Sequence, residues 1–592
     1  MKPALKYTLL ALFALLVAGV GYHLYDLYQR ELLWGHWPLL FLVALWGLIL
    51  VLFEKKFARD GWRWLGLATL SGALLAISFP PIPLTILIFM AFVPLLKLES
   101  EIAEKQAGKG LFKYVWHTFV TWNILTTWWV MNTAFFASLI AIWLNAFFMV
   151  IPFWLFHKAK KYLPRFGYGT LIVFWLAFEY VHLRWEISWP WLTLGNAFSE
   201  FPSWVQWYEW TGVPGGSFWI LGANLLIFRL FEKANWSFRP KKYLTELTWS
   251  WLGVKLFVLI PLVASWAIYL NHEDRGRDVE VVVVQPNYEP HYEKFRAPAE
   301  ERRRRFLRLA KEKLTPNTEY LVFPETSFWH YDDRFINSQE DIKALRTLFD
   351  EYPNLKIVTG IIAYHIFQKG EPLTPAARKQ VRSGETIFWE ERNAAIQLER
   401  DPNRLPFYIK SKLVPGAEIT PYKQIFGFIA PLLDHLGGSV EGHGTQPERE
   451  AFESNSGKIA PVICYESVYG DYVTGYIRAG AEAIFIMTND GWWDNTAGHK
   501  QHLQYATLRA IETRRSIARS ANSGISCFIN QRGDISQATP YGVEAAIRGT
   551  IKFNDEHTFY ARHGDILGRL AAFLSVFLIL NILVKSRLPK ET

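Results

Sequence analysis

The feature that most constrains this chain is the uneven distribution of its apolar residues. They crowd into residues 7–270 and again into 564–585, whereas the stretch between carries charges, turns and short apolar runs. A helix needs roughly 17–25 apolar residues to cross the hydrocarbon core of a bilayer. Segments that approach this length lie near residues 7–27, 36–53, 64–80, 83–98, 114–133, 135–157, 168–186, 215–232, 250–270 and 564–585. The pattern predicts a polytopic membrane protein with one large soluble insert.

Basic residues collect in every second loop between these segments. They are Lys55, Lys56, Arg59, Arg63, Lys105, Lys109, Lys113, Lys158, Lys160, Lys161, Arg165, Arg239, Lys241, Lys242, Lys585, Arg587 and Lys590. Loops rich in Lys and Arg stay on the cytoplasmic side of a membrane, so we expect both termini in the cytoplasm and residues 271–563 on the outer face. The same loops account for much of the net charge of +9 without a nucleic-acid partner. The first segment also fits a cleaved signal peptide, although no clear small-residue cleavage site follows it.

The pattern of apolar residues in the sequence changes at Val279. Val279–Val284 is a β-branched run broken only by Glu280, which is typical of a strand buried on both faces. Further strands are predicted at Tyr320–Phe323, Leu355–Ile362, Ile459–Cys464, Ala483–Thr488 and Ile525–Asn530, and helices at 299–313, Ile342–Phe349 and 498–518. This alternation predicts an α/β fold. The expected organisation is an extra N-terminal transmembrane pair at 1–58, a polytopic transmembrane domain at 59–270, an extracytoplasmic α/β domain at 278–558 and a C-terminal transmembrane helix at 562–586.

Three reactive side chains stand at or just after predicted strands: Glu325, Lys410 and Cys464. Loops at strand ends carry the chemistry of α/β folds. A thiol needs a base or a nearby cation to be nucleophilic at neutral pH. A carboxylate accepts the proton of the thiol and later returns it to a leaving group, and an ammonium stabilises a developing oxyanion. Each residue alone is usually a core or surface residue, and only the set of three indicates a catalytic site.

The order Glu325, Lys410, Cys464 resembles the Glu–Lys–Cys triad of the nitrilase superfamily, and the surrounding segments are closer still to apolipoprotein N-acyltransferases. These segments are Phe323-Pro324-Glu325-Thr326, Lys410 through Glu418 with Leu413-Val414-Pro415, Ile463-Cys464-Tyr465-Glu466, Thr488-Asn489-Asp490-Gly491-Trp492-Trp493, Arg509-Ala510-Ile511-Glu512, Asn522-Ser523-Gly524-Ile525, Ser78-Phe79-Pro80-Pro81 and Trp189-Pro190-Trp191-Leu192. The resemblance covers about residues 61–585. The chain departs from the family in its first two apolar segments, in Pro415-Gly416-Ala417-Glu418, at Phe295 where the family often has Trp, and in the long, charged segment 371–405.

The resemblance implies a nitrilase-like, four-layer αββα sandwich inserted before the last helix of an all-α membrane domain. It also implies an acyltransferase of the bacterial inner membrane whose catalytic domain faces the periplasm. The acyl donor would be a membrane phospholipid, and the acceptor would be the N-terminal α-amine of a diacylglyceryl-cysteine lipoprotein. A ping-pong reaction would join them through a thioester on Cys464, with no cofactor and no metal ion.

The same resemblance assigns roles to single residues. Glu325 would act as acid and base, and Lys410 would hold the oxyanion. Glu418 would orient Lys410 or assist proton transfer, while Tyr465 and Glu466 would shape the pocket. Candidates for substrate binding are the aromatic residues Trp492, Trp493, Phe295 and Trp191. The segments Thr488–Trp493 and 424–447 are candidates for a cover that keeps water from the thioester.

Two other functions stay open from the residues alone. With water as acceptor, the same triad would belong to a membrane-tethered nitrilase-type amidase, and a catalytically inactive insert would be a binding domain on a membrane scaffold. His499 and His502, with Asp494 nearby, form a weak candidate for a metal site because no further ligand is evident. Cys527 lies in an apolar strand, where we expect a core residue rather than a disulfide partner of Cys464.

Overall fold

The computed structural model describes residues 2–58, 62–105, 110–163, 166–237, 239–382, 384–426 and 442–587. Its chain folds into two compact units. A helical unit comprises Met1–Ile268 and Asp565–Thr592, and an α/β unit comprises Tyr269–Gly564. Four basic residues of the predicted cytoplasmic loops lie outside the described residues: Arg59, Lys109, Arg165 and Lys590.

The helical unit is built almost entirely from apolar helices. Its α-helices are Pro3–Gln29, Trp37–Leu52, Glu54–Ala58, Trp62–Ile77, Val93–Glu104, Leu111–Thr127, Phe135–Tyr162, Thr170–His182, Tyr208–Thr211, Val213–Lys233, Pro240–Thr245, Thr248–Asn271 and Ile566–Arg587. Within the described residues, five of them are long and apolar enough to cross a membrane: Pro3–Gln29, Phe135–Tyr162, Val213–Lys233, Thr248–Asn271 and Ile566–Arg587. Trp37–Leu52 and Trp62–Ile77 are apolar but shorter. These helices are those of a membrane protein.

The prediction of a single spanning helix at 83–98 is wrong. A 3-10 helix, Thr85–Met90, is followed by a separate α-helix, Val93–Glu104. Pro94 lies in the first turn of that helix. Proline is tolerated there because main-chain N–H groups in the first turn have no hydrogen-bond partner within the helix, so the missing N–H costs nothing. The helix predicted at 168–186 is also shorter, since it covers Thr170–His182.

Buried polar contacts connect neighbouring helices of this unit. Nε1 of Trp46 donates to Nδ1 of His117 at 3.0 Å, and this bond ties the predicted N-terminal pair to the helix Leu111–Thr127. Glu99 is fully buried, and its Oε1 lies 2.7 Å from Nδ1 of His157. Lipid tails provide no hydrophobic drive for helix association, so bonds of this kind and close packing hold such helices together.

The α/β unit contains two sheets. Their strands are β1 (Arg277–Gln285), β2 (Tyr320–Val322), β3 (Phe328–Asp332), β4 (Lys356–Ile366), β5 (Arg378–Arg382), β6 (Glu385–Leu398), β7 (Phe407–Ile409), β8 (Phe452–Ser454), β9 (Gly457–Ile463), β10 (Ala483–Thr488), β11 (Ile517–Ala521), β12 (Cys527–Ile529), β13 (Ile535–Ser536) and β14 (Ala545–Phe553). The first sheet has the order β14-β1-β2-β4-β6-β5, with β3 paired to β4 and β7 to β6, and the second has the order β13-β12-β11-β10-β9-β8. The central strands β1, β2 and β4 are parallel, as are β9, β10 and β11.

Helices cover the two sheets, which share one core. Val281 and Val358 of the first sheet belong to the same apolar cluster as Val462 and Phe485 of the second. The helices of this unit are Ala299–Lys311, Glu340–Arg346, Leu348–Glu351, Lys423–Phe426, Gly470–Arg478, Ala497–Thr513 and Phe559–His563. The first two of them pack on the first sheet, and Gly470–Arg478 and Ala497–Thr513 pack on the second. The predicted αββα architecture is confirmed.

Three parts of the α/β unit differ from the prediction. The single helix predicted at Ile342–Phe349 is two short helices, Glu340–Arg346 and Leu348–Glu351. The charged segment 371–405 contains the antiparallel hairpin β5–β6, whose polar sequence gives no apolar run to mark it. The helix predicted at 498–518 ends at Thr513, because Arg514 adopts a left-handed conformation with φ 49° and β11 begins at Ile517. The last two residues of the predicted helix are therefore strand.

Candidate active site

The three candidate catalytic side chains lie at the carboxyl ends of strands. Glu325 follows β2, Lys410 follows β7 and Cys464 follows β9. All three are buried, with 5%, 1% and 8% of their surfaces exposed. The Cys464 thiol interacts electrostatically with both Glu325 and Lys410, so the structure brings the three residues into one site between the two sheets.

Lys410 links two carboxylates. Its Nζ donates to Oε1 of Glu325 at 2.9 Å and to Oε1 of Glu418 at 2.7 Å. The N–H of Val414 donates to Oε2 of Glu418 at 2.9 Å, which fixes that carboxylate. Burial opposes the charge of Lys410, but Glu325 and Glu418 hold its pKa well above the ordinary value. Lys410 is therefore an ammonium, and Glu418 is placed to orient it.

Glu325 has one engaged oxygen and one free oxygen. Oε1 accepts from Lys410 and, at 2.8 Å, from Nδ2 of Asn393. Oε2 accepts no hydrogen bond from the described residues, which leaves it available for a proton. The loop that carries Glu325 rests on β4, where the N–H of Gly360 donates to the carbonyl of Pro324 at 3.2 Å. A Cβ at Gly360 would lie 2.6 Å from Cα of Glu325, so only glycine permits this approach.

Cys464 occupies a sharp turn between β9 and the 3-10 helix Cys464–Val468. Its φ is 47°, in the left-handed region that residues other than glycine rarely adopt. Burial, followed by the charge of Glu325, raises the pKa of the thiol, and Lys410 opposes this. The resting thiol is therefore protonated and needs a base before it can attack.

Glu466 is buried beside the nucleophile and engages both of its oxygens with the protein. It accepts hydrogen bonds from the hydroxyls of Tyr408, Tyr472 and Tyr476 and from the N–H groups of Ile463 and Ser411. These bonds fix the chain before Cys464 and after Lys410. Glu466 therefore shapes the pocket through the backbone. Tyr465 is 2% exposed, and its ring lies 5.2 Å from that of Tyr469.

An aromatic cluster lies beside the site. The ring of Trp492 is 5.0 Å from that of His291 and 6.5 Å from that of Phe295, which in turn lies 5.3 Å from Trp329. Phe295 is 49% exposed and offers apolar surface to a substrate. The ring of Trp493 lies 5.5 Å from the imidazole ring of His502.

Two of the sequence-based expectations fall elsewhere. Trp191 belongs to the helical unit, where it is 1% exposed and lies 5.1 Å from the ring of Trp129. The predicted cover 424–447 includes residues 427–441, which lie outside the described residues.

Lys294 is a residue of this site that the sequence analysis missed. It is 3% exposed, and its Nζ donates to the main-chain carbonyl of Glu325 at 3.1 Å. With the amide of Asn489 oriented so that its oxygen faces donors, that oxygen accepts from Lys294 at 3.2 Å. Burial lowers the pKa of Lys294 to about 7, against the opposing effect of Glu325 and Cys464. No local pattern distinguishes Lys294 from a surface lysine, since its neighbours are Glu293, Phe295 and Arg296.

The weak candidate for a metal site does not form. Nε2 of His499 is 3.1 Å from Oδ1 of Asn495, whereas Nδ1 of His502 is 2.9 Å from Oδ1 of Asp490. In the part of the chain that the structure describes, no three His, Cys, Asp or Glu side chains are grouped to hold a metal ion. Cys527 is a buried core residue, and both cysteines are free.

Comparison with known proteins agrees with both units. Residues 71–226 match the family model of the apolipoprotein N-acyltransferase N-terminal domain, and residues 259–557, about half of the chain, match that of carbon-nitrogen hydrolases. An apolipoprotein N-acyltransferase of Chlorobaculum tepidum is 28% identical over 88% of this chain and 97% of the relative. Another from Geobacter metallireducens is 25% identical over 84% of this chain and 91% of the relative.

Solved structures show a distant similarity to this chain. The crystal structure of a carbon-nitrogen hydrolase from Helicobacter pylori is 12% identical, covers 50% of this chain and 94% of its own, and gives a TM-score of 0.32. The two family matches and the relatives, which extend over most of both chains, decide the assignment. This chain belongs to the carbon-nitrogen hydrolase, or nitrilase, superfamily and, within it, to the apolipoprotein N-acyltransferases.

Proposed function

We propose that this chain transfers a fatty acyl group from a membrane phospholipid to the N-terminal α-amine of a diacylglyceryl-cysteine lipoprotein. The observation that carries the proposal is the buried Cys464 thiol beside the Glu325–Lys410 pair, in a chain that matches apolipoprotein N-acyltransferases over most of its length. Both substrates carry acyl chains that stay in the bilayer, which suits an enzyme with apolar spanning helices. The catalytic roles of Glu325, Lys410 and Cys464 are part of this proposal.

The first half-reaction forms a thioester. Sγ of Cys464 attacks the ester carbonyl of the phospholipid while Oε2 of Glu325 takes the thiol proton. The carbonyl oxygen becomes an oxyanion, which Lys410 and main-chain N–H groups at the start of the 3-10 helix Cys464–Val468 stabilise. When the C–O bond breaks, the alkoxide of the lysophospholipid takes the proton from Glu325, and the acyl group remains on Cys464.

The second half-reaction returns the enzyme to its starting state. The α-amine of the lipoprotein attacks the thioester carbonyl and gives one proton to Glu325. The tetrahedral intermediate then expels the Cys464 sulfur, which recovers a proton from Glu325, and an amide remains on the acceptor. Glu418 holds Lys410 in place through both steps, and the aromatic residues Phe295, Trp492 and Trp493 border the acyl path. Water must stay away from the thioester between the two steps.

The proposed setting is the bacterial inner membrane with the α/β unit on the periplasmic side. Diacylated lipoproteins present their N-terminal amine at a membrane surface, so the donor and the acceptor both reach the site from the bilayer. The charges of the loops between spanning segments support this orientation.

Mass measurement of the intact protein tests the proposal. The purified full chain is mixed with phospholipid in detergent, without an acceptor, and both the adduct mass and the released fatty acid are followed over time. We expect one acyl adduct per chain with little free fatty acid, and loss of the adduct when a diacylated lipopeptide with a free α-amine is added. Steady release of fatty acid, at a rate that matches turnover with the lipopeptide, would instead identify a hydrolase.

The two cysteines supply a matched pair of variants. Cys464→Ala should form no adduct while it still folds and inserts, because it removes the proposed nucleophile. Cys527→Ala should retain most of the activity, because that thiol is buried in β12. An inactive Cys527→Ala beside an active Cys464→Ala would overturn the site assignment.

A further inference from the structure

Next to Cys464, the α/β unit buries three ionisable side chains that the mechanism above does not use: Asp490, His502 and Arg519. Each of them is 0% exposed. Asp490 begins the 3-10 helix Asp490–Trp493, His502 lies on the helix Ala497–Thr513, and Arg519 lies on β11. A buried charge network costs free energy that a well-packed apolar core does not, so its presence calls for a reason other than stability.

Asp490 is the centre of this cluster. Arg519 donates to its Oδ2, and Nδ1 of His502 lies 2.9 Å from its Oδ1. The hydroxyl of Thr488 donates to the same Oδ1 at 2.6 Å. Burial opposes ionisation of Asp490, but Arg519 and His502 outweigh it and hold the pKa of this carboxyl well below its usual range. Asp490 is therefore a carboxylate with both oxygens engaged.

The cluster reaches the main chain of the nucleophile. On the main-chain side, Nε2 of His502 is 3.2 Å from the carbonyl of Cys464 and 2.8 Å from Oγ of Ser467, which itself donates to that carbonyl at 2.7 Å. His502 therefore connects the Cys464 carbonyl to Asp490.

The backbone conformation of Cys464 is one that these contacts can maintain. A φ of 47° is strained for a residue with a side chain, and such a conformation persists only where the surroundings over-determine it. The direction of the Cys464 carbonyl fixes the peptide that follows it, and hence the direction in which the thiol points. A group that holds this carbonyl therefore holds the nucleophile against the Glu325–Lys410 pair.

We propose that Arg519, Asp490 and His502 position Cys464: Arg519 and Asp490 hold His502, and His502 holds the Cys464 carbonyl. The inference rests on the proposed role of Cys464 as the nucleophile. His502, which the sequence suggested as a weak metal ligand, is here a residue that acts through Cys464. The alternative is an ordinary buried polar network, which would affect folding but not the reactivity of the folded enzyme.

An activated ester tests this positioning role without the natural substrates. p-Nitrophenyl butyrate acylates a reactive thiol and releases p-nitrophenolate, so the rate of the first burst reports Cys464 alone. The measurement uses the full chain in detergent, with Cys527→Ala in every variant so that a single thiol remains. His502→Phe keeps a ring of similar volume and removes the contacts of Nε2 with the Cys464 carbonyl and with Oγ of Ser467. His499→Phe is the matched control, since His499 is also buried on the same helix, and its Nε2 faces Asn495 rather than the Cys464 carbonyl.

We expect His502→Phe to slow the burst on the order of 100-fold, as for a misplaced catalytic group, with a thermal unfolding midpoint close to that of His499→Phe. His502→Gln, which retains a side-chain donor, should recover part of the rate. An unchanged burst in His502→Phe, or an equal loss in His499→Phe, would overturn the inference. If His502→Phe does not fold, Ser467→Ala decides instead: it removes one hydroxyl bond to the Cys464 carbonyl, and an unchanged burst there would overturn the inference too.

The outcomes also separate this inference from the proposed function. A burst that depends on His502, in an enzyme that never acylates a lipopeptide, would support the positioning role of His502 and refute the transferase. Transfer to the lipopeptide with a burst that does not depend on His502 would support the transferase and refute the positioning role of His502.

Discussion

Lys410 faces two carboxylates, and this imbalance sets the resting state of the site. Glu325 and Glu418 both bind its ammonium, so the three groups together carry a net negative charge. Burial and, after it, the negative charge of Glu325 disfavour a thiolate, which is why the pKa of Cys464 is raised. The nucleophile is therefore stored as a thiol, and its proton moves to Glu325 only when an acyl carbonyl is present to take up the charge.

Glu325→Gln should prevent the thioester from forming. Glutamine keeps an oxygen that can accept from Lys410 and Asn393 but cannot take the thiol proton, so we expect the rate of adduct formation with phospholipid to fall by about 10²–10⁴-fold. Intact mass over time measures it. Glu319→Gln, a change of a half-buried carboxylate one residue before β2, is the control and should behave as wild type. Adduct formation in Glu325→Gln at the wild-type rate would place the base elsewhere.

Lys294→Met should stabilise the protein at neutral pH and slow catalysis. The pKa of Lys294 is lowered to about 7 in the folded protein, whereas it is about 10.4 in an unfolded chain. Between these values the unfolded chain binds more protons, so this group makes stability rise with pH, and its full cost is present below pH 7. Methionine removes that cost, which amounts to a few kcal/mol at most. Catalysis slows because the bond to the Glu325 carbonyl is lost.

Thermal unfolding of both proteins at pH 7 and pH 10 checks this. The midpoint of Lys294→Met should exceed that of wild type at pH 7, and the difference should shrink at pH 10. A difference that grows with pH would contradict the sign of the effect. Lys356→Met, at a buried lysine of β4 outside the catalytic site, should leave adduct formation unchanged.

At the scale of elements, the site depends on how closely the Glu325 loop approaches its neighbouring strand. β2 ends after three residues, and the chain then crosses directly over Gly360 of β4, with a hydrogen bond from the N–H of Ser327 to the Gly360 carbonyl at 2.8 Å. The contact partners of a Cβ at Gly360 are all main-chain atoms of this loop, so no side chain can move aside to make room. The position of Glu325 is therefore set by the missing side chain on the next strand.

Gly360→Ala should displace Glu325 and lower the rate of adduct formation on the order of 100-fold. The added methyl group should also destabilise the α/β unit by about 1–3 kcal/mol, as overpacking does. Adduct formation and the thermal midpoint measure the two effects. Ile362→Val, two residues further along β4, changes a half-buried side chain and should leave the rate intact. A wild-type rate in Gly360→Ala would show that the loop adjusts freely.

At the scale of the whole molecule, the α/β unit is inserted in sequence between spanning helices. The helix Thr248–Asn271 precedes it and the helix Ile566–Arg587 follows it, and both are apolar enough to cross a bilayer. A folded domain between two such helices must lie entirely on one side of the membrane. The sidedness then decides which lipids and proteins reach Cys464.

A reporter that is active only in the cytoplasm tests the sidedness. Fused after Pro372, within the α/β unit, it should give no signal, because the loop charges predict an extracytoplasmic location. Fused after Lys105, in a loop predicted to be cytoplasmic, it should give a strong signal and so serves as the control. The reverse pattern would overturn both the orientation and the proposed periplasmic acceptor.

The sequence by itself determined the broad plan of this protein. Apolar runs marked the membrane helices, because spanning a bilayer demands length and composition that are local properties of the chain. The motifs around Glu325, Lys410 and Cys464 pointed to the superfamily for a similar reason, since short segments at strand ends carry their own chemical signature. The α/β class followed from the alternation of strands and helices, and the αββα architecture followed from that resemblance.

The tertiary structure decided what depends on distant parts of the chain. Lys294 becomes a residue of the site only because its ammonium meets the carbonyl of Glu325, and His502 supports Cys464 although 38 residues separate them. No local apolar pattern marks the charged hairpin β5–β6, and the continuous apolar run at 83–98 does not reveal that two helices divide it. Burial and hydrogen bonding between distant segments determine such features, and neither is encoded in the spacing of neighbouring residues.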